Sequence, residues 1–260
     1  MILPTLVALV LALWLLVRAP VPSMKSAMVI VEPRRHPQLK HVVENFDRNM
    51  PKHYDLYIFH GASAGEYAAR AAEAVAGRVL HFVRLPTDNF TVNDYNAFLK
   101  SPEFWNRVDA ENVLVFQTDA ALCGASSRKI ADFEHLGYVG CNFGDKMGRN
   151  TYWGPHPFYG VGGLSFRKKS VALKCLKNAA TVAPDFPEDV FYSRCVENDT
   201  FGKQPRSAQE VSEFCSQGSF SADSFGGHRV EWMNKQMLPR FLDYCPEARP
   251  LLPTASPTPV

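Results

Sequence analysis

The chain alternates short apolar runs with segments whose apolar residues recur every three or four positions. The apolar runs predict buried strands, which we place at 27–31, 55–59, 78–85, 113–116 and 138–141. Segments with helical periodicity lie between them, at 37–49, 66–76, 93–99, 101–108 and 128–136. Strands that alternate with helices predict βαβ units. We therefore expect one α/β domain with a mostly parallel sheet and helices on both faces.

Composition narrows the functional classes without selecting one. A length of 260 residues, of which 46% are hydrophobic, suits a single α/β domain with a substantial core and short tails. The net charge is only +2, and the basic residues are scattered along the chain. Because no basic helix stands out, nucleic acid is not an expected partner.

The first residues form the most apolar segment of the chain. Residues 2–17 carry no charge, and the run is slightly shorter than the ~20 residues that span a bilayer. It could be an uncleaved anchor, a cleaved signal peptide or a buried helix. No Lys or Arg precedes it, which argues against a signal peptide. A Pro-rich stretch follows it, which disfavours a buried helix.

We therefore expect a single-pass membrane anchor at 1–18, a linker at 19–26, a catalytic domain at 27–249 and a disordered tail at 250–260. The orientation in the membrane stays open. Basic residues follow the apolar run, starting at Arg18, and the positive-inside rule would place them in the cytosol. A domain in a secretory lumen would need the opposite orientation.

Six cysteines are spread singly, at Cys123, Cys141, Cys175, Cys195, Cys215 and Cys245. They form no CxxC pair, so zinc is not expected. An even count permits disulfides in an oxidising compartment but does not require them. Cys123 and Cys141 follow predicted strands, where a free buried cysteine is the default interpretation.

Four places carry candidate chemistry. Asp119 follows the strand at 113–116, at the sheet edge where ligands of α/β proteins bind, and could hold a divalent metal or simply cap the next turn. Glycines precede a short strand in Gly160–Gly163. Glu188 and Asp189 begin a helix, where a carboxylate is also favoured by the helix dipole. His228 follows two glycines in a segment that we expect to be a flexible loop.

A serine hydrolase is a competing hypothesis. The segment 61–65, GASAG, fits the nucleophile-elbow pattern between a strand and a helix, and Asp119 and His228 follow Ser63 in the order of a triad. However, no HGGG-like segment precedes it, and only two strands come before Ser63. A tight turn that begins the next helix is the favoured interpretation.

The order of the motifs carries a resemblance. AMVIVEPRRHPQL, YNAFLKSPEFW, VLVFQTDAALC, GGLSFRKK, PEDVFYS, FGGHRVEW and YCPE follow one another between residues 27 and 252. This order resembles the glycosyltransferase-like family catalogued as domain of unknown function 5672. Such proteins look like glycosyltransferases of the GT-A fold, and the motif order is similar to that of the β-1,3-glycosyltransferases of the Golgi.

The resemblance implies a role for each motif. Asp119 and His228 would hold a divalent metal, Mn or Mg, beside Gln117 and Thr118. The remaining residues would contact the sugars and supply the general base: Gly162, Gly163, Asp189 and, as the alternate base, Glu188. The partners would be a nucleotide-sugar donor and a glycan, protein or lipid acceptor, in a secretory compartment such as the Golgi.

Two departures bear on these expectations. The DxD pattern is reduced to Asp119 alone, and the next strand lacks the acidic, Trp-ended pattern of the family. Besides an inverting, metal-assisted glycosyltransferase, a catalytically inactive sugar-nucleotide binder therefore stays open as a hypothesis.

Overall fold

The computed structural model of the chain describes residues 24–144, 159–181 and 186–253. The predicted anchor lies outside these ranges, as does the end of the predicted tail. Within the three ranges, no helix is long and apolar enough to cross a membrane.

Six strands form the central sheet, in the order β3–β2–β1–β4–β7–β6. Their bounds are β1 (Ser26–Val31), β2 (Tyr54–His60), β3 (Leu80–Arg84), β4 (Asn112–Phe116), β6 (Tyr138–Cys141) and β7 (Val161–Lys168). The first four pair in parallel, whereas β7 is antiparallel to both β4 and β6. Only β7 therefore runs against the other five, and the expectation of a mostly parallel sheet is confirmed.

Eight α-helices lie in the described ranges: α1 (Leu39–Asn49), α2 (Gly65–Ala71), α3 (Val92–Leu99), α4 (Pro102–Arg107), α5 (Lys169–Lys177), α6 (Glu188–Val196), α7 (Ala208–Phe214) and α8 (Met237–Tyr244). Side chains of α1, α2 and α7 share one core cluster with alternate residues of the strands. Side chains of α3 to α6 share another with the remaining strand residues. Both faces of the sheet are thus buried, which explains why its strands are continuous apolar runs.

A second, smaller sheet was not expected. It consists of β5 (Ala120–Leu122), β9 (Gly226–His228) and β8 (Cys215–Ser216), in the order β5–β9–β8. Strands of two or three residues have no measurable period, so the sequence could not reveal them. This sheet packs beside a third core cluster, which includes Val230 and Phe241.

Three predicted elements differ from the structure. The helix expected at 128–136 is instead the 3₁₀ turn Ile130–Asp132, because the buried residues Ile130, Phe133 and Leu136 recur every three positions, the period of a 3₁₀ helix. The helix expected at 66–76 ends at Ala71. Of the glycines expected to precede a short strand, Gly162 and Gly163 lie within β7.

All six cysteines are paired. The disulfides are Cys123–Cys245, Cys141–Cys215 and Cys175–Cys195. The free-thiol interpretation of Cys123 and Cys141 is therefore wrong. The first bridge joins the end of β5 to the end of α8, and the second joins the large sheet to β8 of the small one. These two disulfides therefore anchor β5 and β8, the strands on either side of β9.

We predict that the Cys141–Cys215 bridge stabilises the fold. Replacing both residues by serine should lower the free energy of unfolding by about 2–5 kcal/mol, because the unfolded chain gains entropy when a long loop is opened. Denaturant unfolding of both proteins measures the difference, which should disappear when both are fully reduced. Alkylation of the unreduced, denatured wild type should label no cysteine; six labelled cysteines would contradict the pairing.

Candidate functional site

The site lies at the carboxyl ends of β1 and β4. From β1 the chain proceeds to β2 on one side of the sheet, whereas β4 lies on the other side, so the two loops diverge and leave a crevice. Two cavities open there. The main cavity, of about 400 Å³, reaches toward α6, and the side cavity, of about 290 Å³, lies against the loop after β1. Both are lined by Val92, Tyr95, Gln117 and Arg229.

The small sheet brings Asp119 and His228 together. Ala120 of β5 pairs with His228 of β9, and this register places the imidazole beside the preceding carboxylate. Asp119 Oδ1 lies 3.1 Å from His228 Nε2. His228 is 2% exposed and belongs to a strand, so the flexible loop expected for it is wrong.

Gln217 fixes the tautomer of His228. The ring nitrogen Nδ1 donates to Gln217 Oε1 at 2.9 Å, and the neutral ring then has a lone pair on Nε2. Although Nε2 and Asp119 Oδ1 are close, neither has a hydrogen-bond partner among the residues that the structure describes. With the ring neutral, two buried lone pairs face each other, an arrangement that either a proton on Nε2 or a metal ion between the two atoms would stabilise.

The pair fits a hard divalent ion. Adjacent ligands of an octahedral ion, each about 2.1 Å from it, lie about 3 Å apart, which matches the separation of Oδ1 and Nε2. One carboxylate and one imidazole supply only two of the ligands that such an ion needs. No group of three or more His, Cys, Asp or Glu side chains suited to a metal occurs within the described ranges. Water and phosphate oxygens would have to fill the other positions.

Arg229 completes the surroundings of Asp119. Its Nε donates to Asp119 Oδ2 at 3.0 Å, and its backbone N–H donates to the Asp119 carbonyl at 3.2 Å. Burial alone would raise the pKa of Asp119, but interactions with the protonated form of the His228 ring and with Arg229 outweigh it and hold that pKa well below its usual range. Asp119 is therefore a carboxylate throughout the physiological pH range.

Gly162 and Gly163 make room for two functional side chains. A Cβ at Gly162 would lie 2.0 Å from Glu188 Oε1, and a Cβ at Gly163 would lie 2.1 Å from His228 Nε2. Successive strand residues face opposite sides of the sheet, so each glycine clears space for one of them. Both glycines also line the main cavity.

Glu188 is paired within the protein. Its Oε2 lies 2.6 Å from Nη2 of Arg167, and both side chains are almost fully buried. The guanidinium also lies over the rings of Tyr138 and Tyr192, at 5.5 and 5.0 Å from their centroids. Burial raises the pKa of Glu188 to about 7 in spite of the opposing effect of Arg167.

Asp189 is the more available of the two acids. It is half-buried and lines the main cavity. Its Oδ1 accepts from the backbone N–H of Val190 at 2.8 Å, and its Oδ2 accepts from that of Gly162 at 3.3 Å. Burial raises its pKa, which makes the carboxylate a stronger base than an exposed aspartate. Both of these contacts come from backbone amides.

Gln117 and Thr118 lie between the two cavities and the sheet. Gln117 lines both cavities, and Thr118, which is buried, lines the side cavity next to Asp119. All eight predicted site residues thus border the crevice. Arg167, Gln217 and Arg229 also belong to the site but were not predicted from the sequence. Only Arg229 had a usable signal, since it follows a candidate metal ligand directly.

The serine hydrolase hypothesis lacks its catalytic contacts. The N–H of Ser63 donates to Asp88 Oδ1 at 2.7 Å, but its hydroxyl has no hydrogen bond within the described part of the chain. Ser63 borders neither cavity. The second ring nitrogen of His228, which would have to face a serine, is bound to Gln217.

We predict that Arg167→Met destabilises the fold, by about 3–5 kcal/mol, because it leaves Glu188 buried without its counter-charge. The double variant Arg167→Met/Glu188→Gln should recover part of this loss. Arg48→Met, at an exposed arginine, is the control and should change the free energy of unfolding little. Denaturant unfolding measures all three, and a loss below about 1 kcal/mol for Arg167→Met would contradict the pairing.

Comparisons with known proteins agree with this architecture. The apo structure of the bifunctional glycosyltransferase WbbM matches this chain at 10% identity and a TM-score of 0.53. The match covers 89% of this chain and 52% of the WbbM chain. Residues 1–349 of TarS from S. aureus give 14% identity and a TM-score of 0.44, with 66% of this chain and 55% of that one covered.

Core-mannan synthase A from Aspergillus fumigatus, in its Mn/GDP form, gives 9% identity and a TM-score of 0.46, with 67% and 70% covered. The chain spans about half the length of the first two structures. No curated protein matches the sequence. At 10% identity the likeness to WbbM, with its TM-score of 0.53, concerns the fold alone, which is that of GT-A glycosyltransferases.

The family comparison covers a long central part of the chain. The matching residues are 79–236, from just before β3 to just before α8, and they include every predicted site residue. Because the match extends over more than half of its length, the chain belongs to the family described as Protein of unknown function (DUF5672).

Proposed function

We propose that the chain is a glycosyltransferase that transfers a sugar from a nucleotide-sugar donor to a hydroxyl acceptor. One observation carries this proposal: in a GT-A fold, the facing lone pairs of Asp119 and His228 and the half-buried carboxylate of Asp189 converge on one crevice. This arrangement provides the two things the reaction needs, a place for a charged leaving group and a proton acceptor.

The leaving group would be stabilised at Asp119 and His228. When bound, a divalent ion such as Mn²⁺ or Mg²⁺ held by these residues supplies a Lewis acid for the negative charge that develops on the nucleoside diphosphate. Gln217 keeps the His228 lone pair on Nε2, the atom that faces Asp119. The single carboxylate suffices because the diphosphate brings oxygen ligands of its own.

Asp189 is the proposed general base. The bond between the anomeric carbon and the diphosphate oxygen breaks, and its electron pair stays on that oxygen. The acceptor oxygen forms the new bond, and its proton passes to the Asp189 carboxylate. Asp189 and His228 both line the main cavity, and Asp119 lines the adjoining side cavity. We propose that the acceptor oxygen attacks the face of the sugar opposite the diphosphate, which would invert the anomeric carbon.

Glu188 is the alternate base, but its carboxylate is bound to Arg167. Proton transfer to Glu188 would weaken a buried ion pair, which disfavours it for this role.

We also propose a secretory location. The three disulfides favour an oxidising compartment, which fits a domain held in a lumen by the N-terminal anchor. The acceptor would be a glycan, a protein or a lipid that reaches the main cavity.

A panel of nucleotide-sugars tests the function. Thermal shift with and without Mn²⁺ identifies the donor, and release of the nucleoside diphosphate with an acceptor library measures turnover. A catalytically inactive binder would show a shift with one donor and no release. A protein that is stabilised by no donor in either condition would contradict the proposal.

We predict that Asp189→Asn lowers turnover by roughly two to four orders of magnitude, because the amide cannot accept the proton. Donor affinity should change much less. Glu188→Gln should be less impaired, and Asp243→Asn, at an exposed aspartate, is the control. If Asp189→Asn and Glu188→Gln both turn over at the wild-type rate, neither acid is the base.

A second prediction concerns the metal. Asp119→Ala should abolish the Mn²⁺-dependent part of donor binding, because it removes the charged ligand. His228→Ala should weaken it while the protein stays folded, because the carboxylate of Asp119 remains. His135→Ala, at a half-exposed histidine, is the control. Titration calorimetry measures the binding. Unchanged Mn²⁺ dependence in Asp119→Ala would remove Asp119 from the metal site.

A further inference from the structure

Arg229 stands where the two cavities meet. It lines both of them and follows the last residue of β9. Its φ is 46°, in the left-handed region that residues with a Cβ rarely adopt. Such conformations persist where surrounding contacts impose them, and they cluster at functional sites. The contacts of Arg229 therefore indicate what its conformation serves.

Those contacts tie Arg229 to one residue. Its backbone N–H and its Nε donate to the carbonyl and to Oδ2 of Asp119, and the left-handed turn allows both at once. The guanidinium lies over the Trp232 ring, 5.0 Å from its centroid. The same side chain is 46% exposed. No hydrogen bond holds Nη1 or Nη2 within the ranges that the structure describes, so one edge of the planar group is available to an anion.

This arrangement conflicts with metal binding at Asp119 as it stands. Arg229 occupies Oδ2 and places a positive charge beside the atoms that would hold a cation. The other nearby arginine, Arg34, is engaged with Glu32 through two contacts of 2.8 Å. Asp119 therefore has Arg229 as its own counter-charge, and a metal ion has to compete with it.

The charge balance of the proposed reaction resolves the conflict. The diphosphate of a nucleotide-sugar carries two negative charges, which a divalent ion neutralises. When the bond to the sugar breaks, the electron pair adds one negative charge to the leaving oxygen. A single additional cation beside the diphosphate balances that charge, and a guanidinium binds phosphate oxygens through two parallel hydrogen bonds.

We propose that Arg229 is a diphosphate-binding residue that exchanges partners, from Asp119 Oδ2 in the free protein to the diphosphate of the metal-bound donor. This inference rests on the proposed function and deepens it. Removing the guanidinium then has two effects of opposite sign. It frees Asp119 for a metal ion, and it deprives a diphosphate of its cation.

The test uses the intact, disulfide-bonded chain with Mn²⁺ and inorganic pyrophosphate as probes, in titration calorimetry. Arg229→Gln should bind Mn²⁺ alone roughly two- to fivefold more tightly than the wild type, the range expected for release of a partly exposed ion pair. It should bind pyrophosphate in the presence of Mn²⁺ roughly tenfold or more weakly, because a charge-assisted contact is lost.

Two further variants sharpen the test. Arg229→Lys keeps the charge but not the planar pair of donors, so Mn²⁺ affinity should stay near wild type while pyrophosphate affinity falls. Arg240→Gln is the matched control, since Arg240 is exposed and lies over an aromatic ring, Phe220, but borders neither cavity. It should alter neither affinity.

The outcomes separate this inference from the proposed function. Wild-type affinities for both probes in Arg229→Gln, or a loss of both, would overturn the exchange. If Asp119→Ala still abolishes Mn²⁺ binding in that case, the proposed metal site stands without it. Pyrophosphate binding that needs Arg229 but no metal would support the anion role and contradict the metal site. Circular dichroism confirms that each variant is folded.

Discussion

The pairing of β5 with β9 is the constraint on which the site depends. It joins two strands that are far apart in the sequence and sets Ala120 opposite His228, so that Asp119, His228 and Arg229 meet at one point. On the other side of β9, Gln217 directly follows β8 and accepts a hydrogen bond from the imidazole. The large sheet supplies a rigid crevice, but the small sheet determines which side chains face each other in it.

A buried ion pair supports the other half of the crevice. Arg167 lies inside the protein against the rings of Tyr138 and Tyr192, and Glu188 is its counter-charge. Breaking such a pair is costly, so it holds the start of α6 firmly against β7. Asp189, the next residue, is therefore fixed in position, and its carboxylate accepts hydrogen bonds from two backbone amides. One acid of the pair thus orients the helix, and the other lines the main cavity.

The large sheet and the residues that border the crevice could be predicted from the sequence. The contacts between those residues could not. Strands buried on both faces leave continuous apolar runs, and Asp119, Glu188 and Asp189 follow or begin recognisable elements. The small sheet has no periodic signal, so the strand that carries His228 resembled a loop. The partners Gln217 and Arg167 could not be found either, because a buried polar residue is recognised by what surrounds it. The even number of cysteines permitted disulfides, but the sequence did not show which cysteines pair.

The small sheet also has a consequence for the order of folding. Its strands come from residues 120–122, 215–216 and 226–228, whereas the first four strands of the large sheet are complete by residue 116. During synthesis, the parallel core can therefore form long before β9 exists. Asp119 has no imidazole partner until then, and contacts this distant in sequence form late. A nascent chain would consequently have a folded core before its crevice is complete.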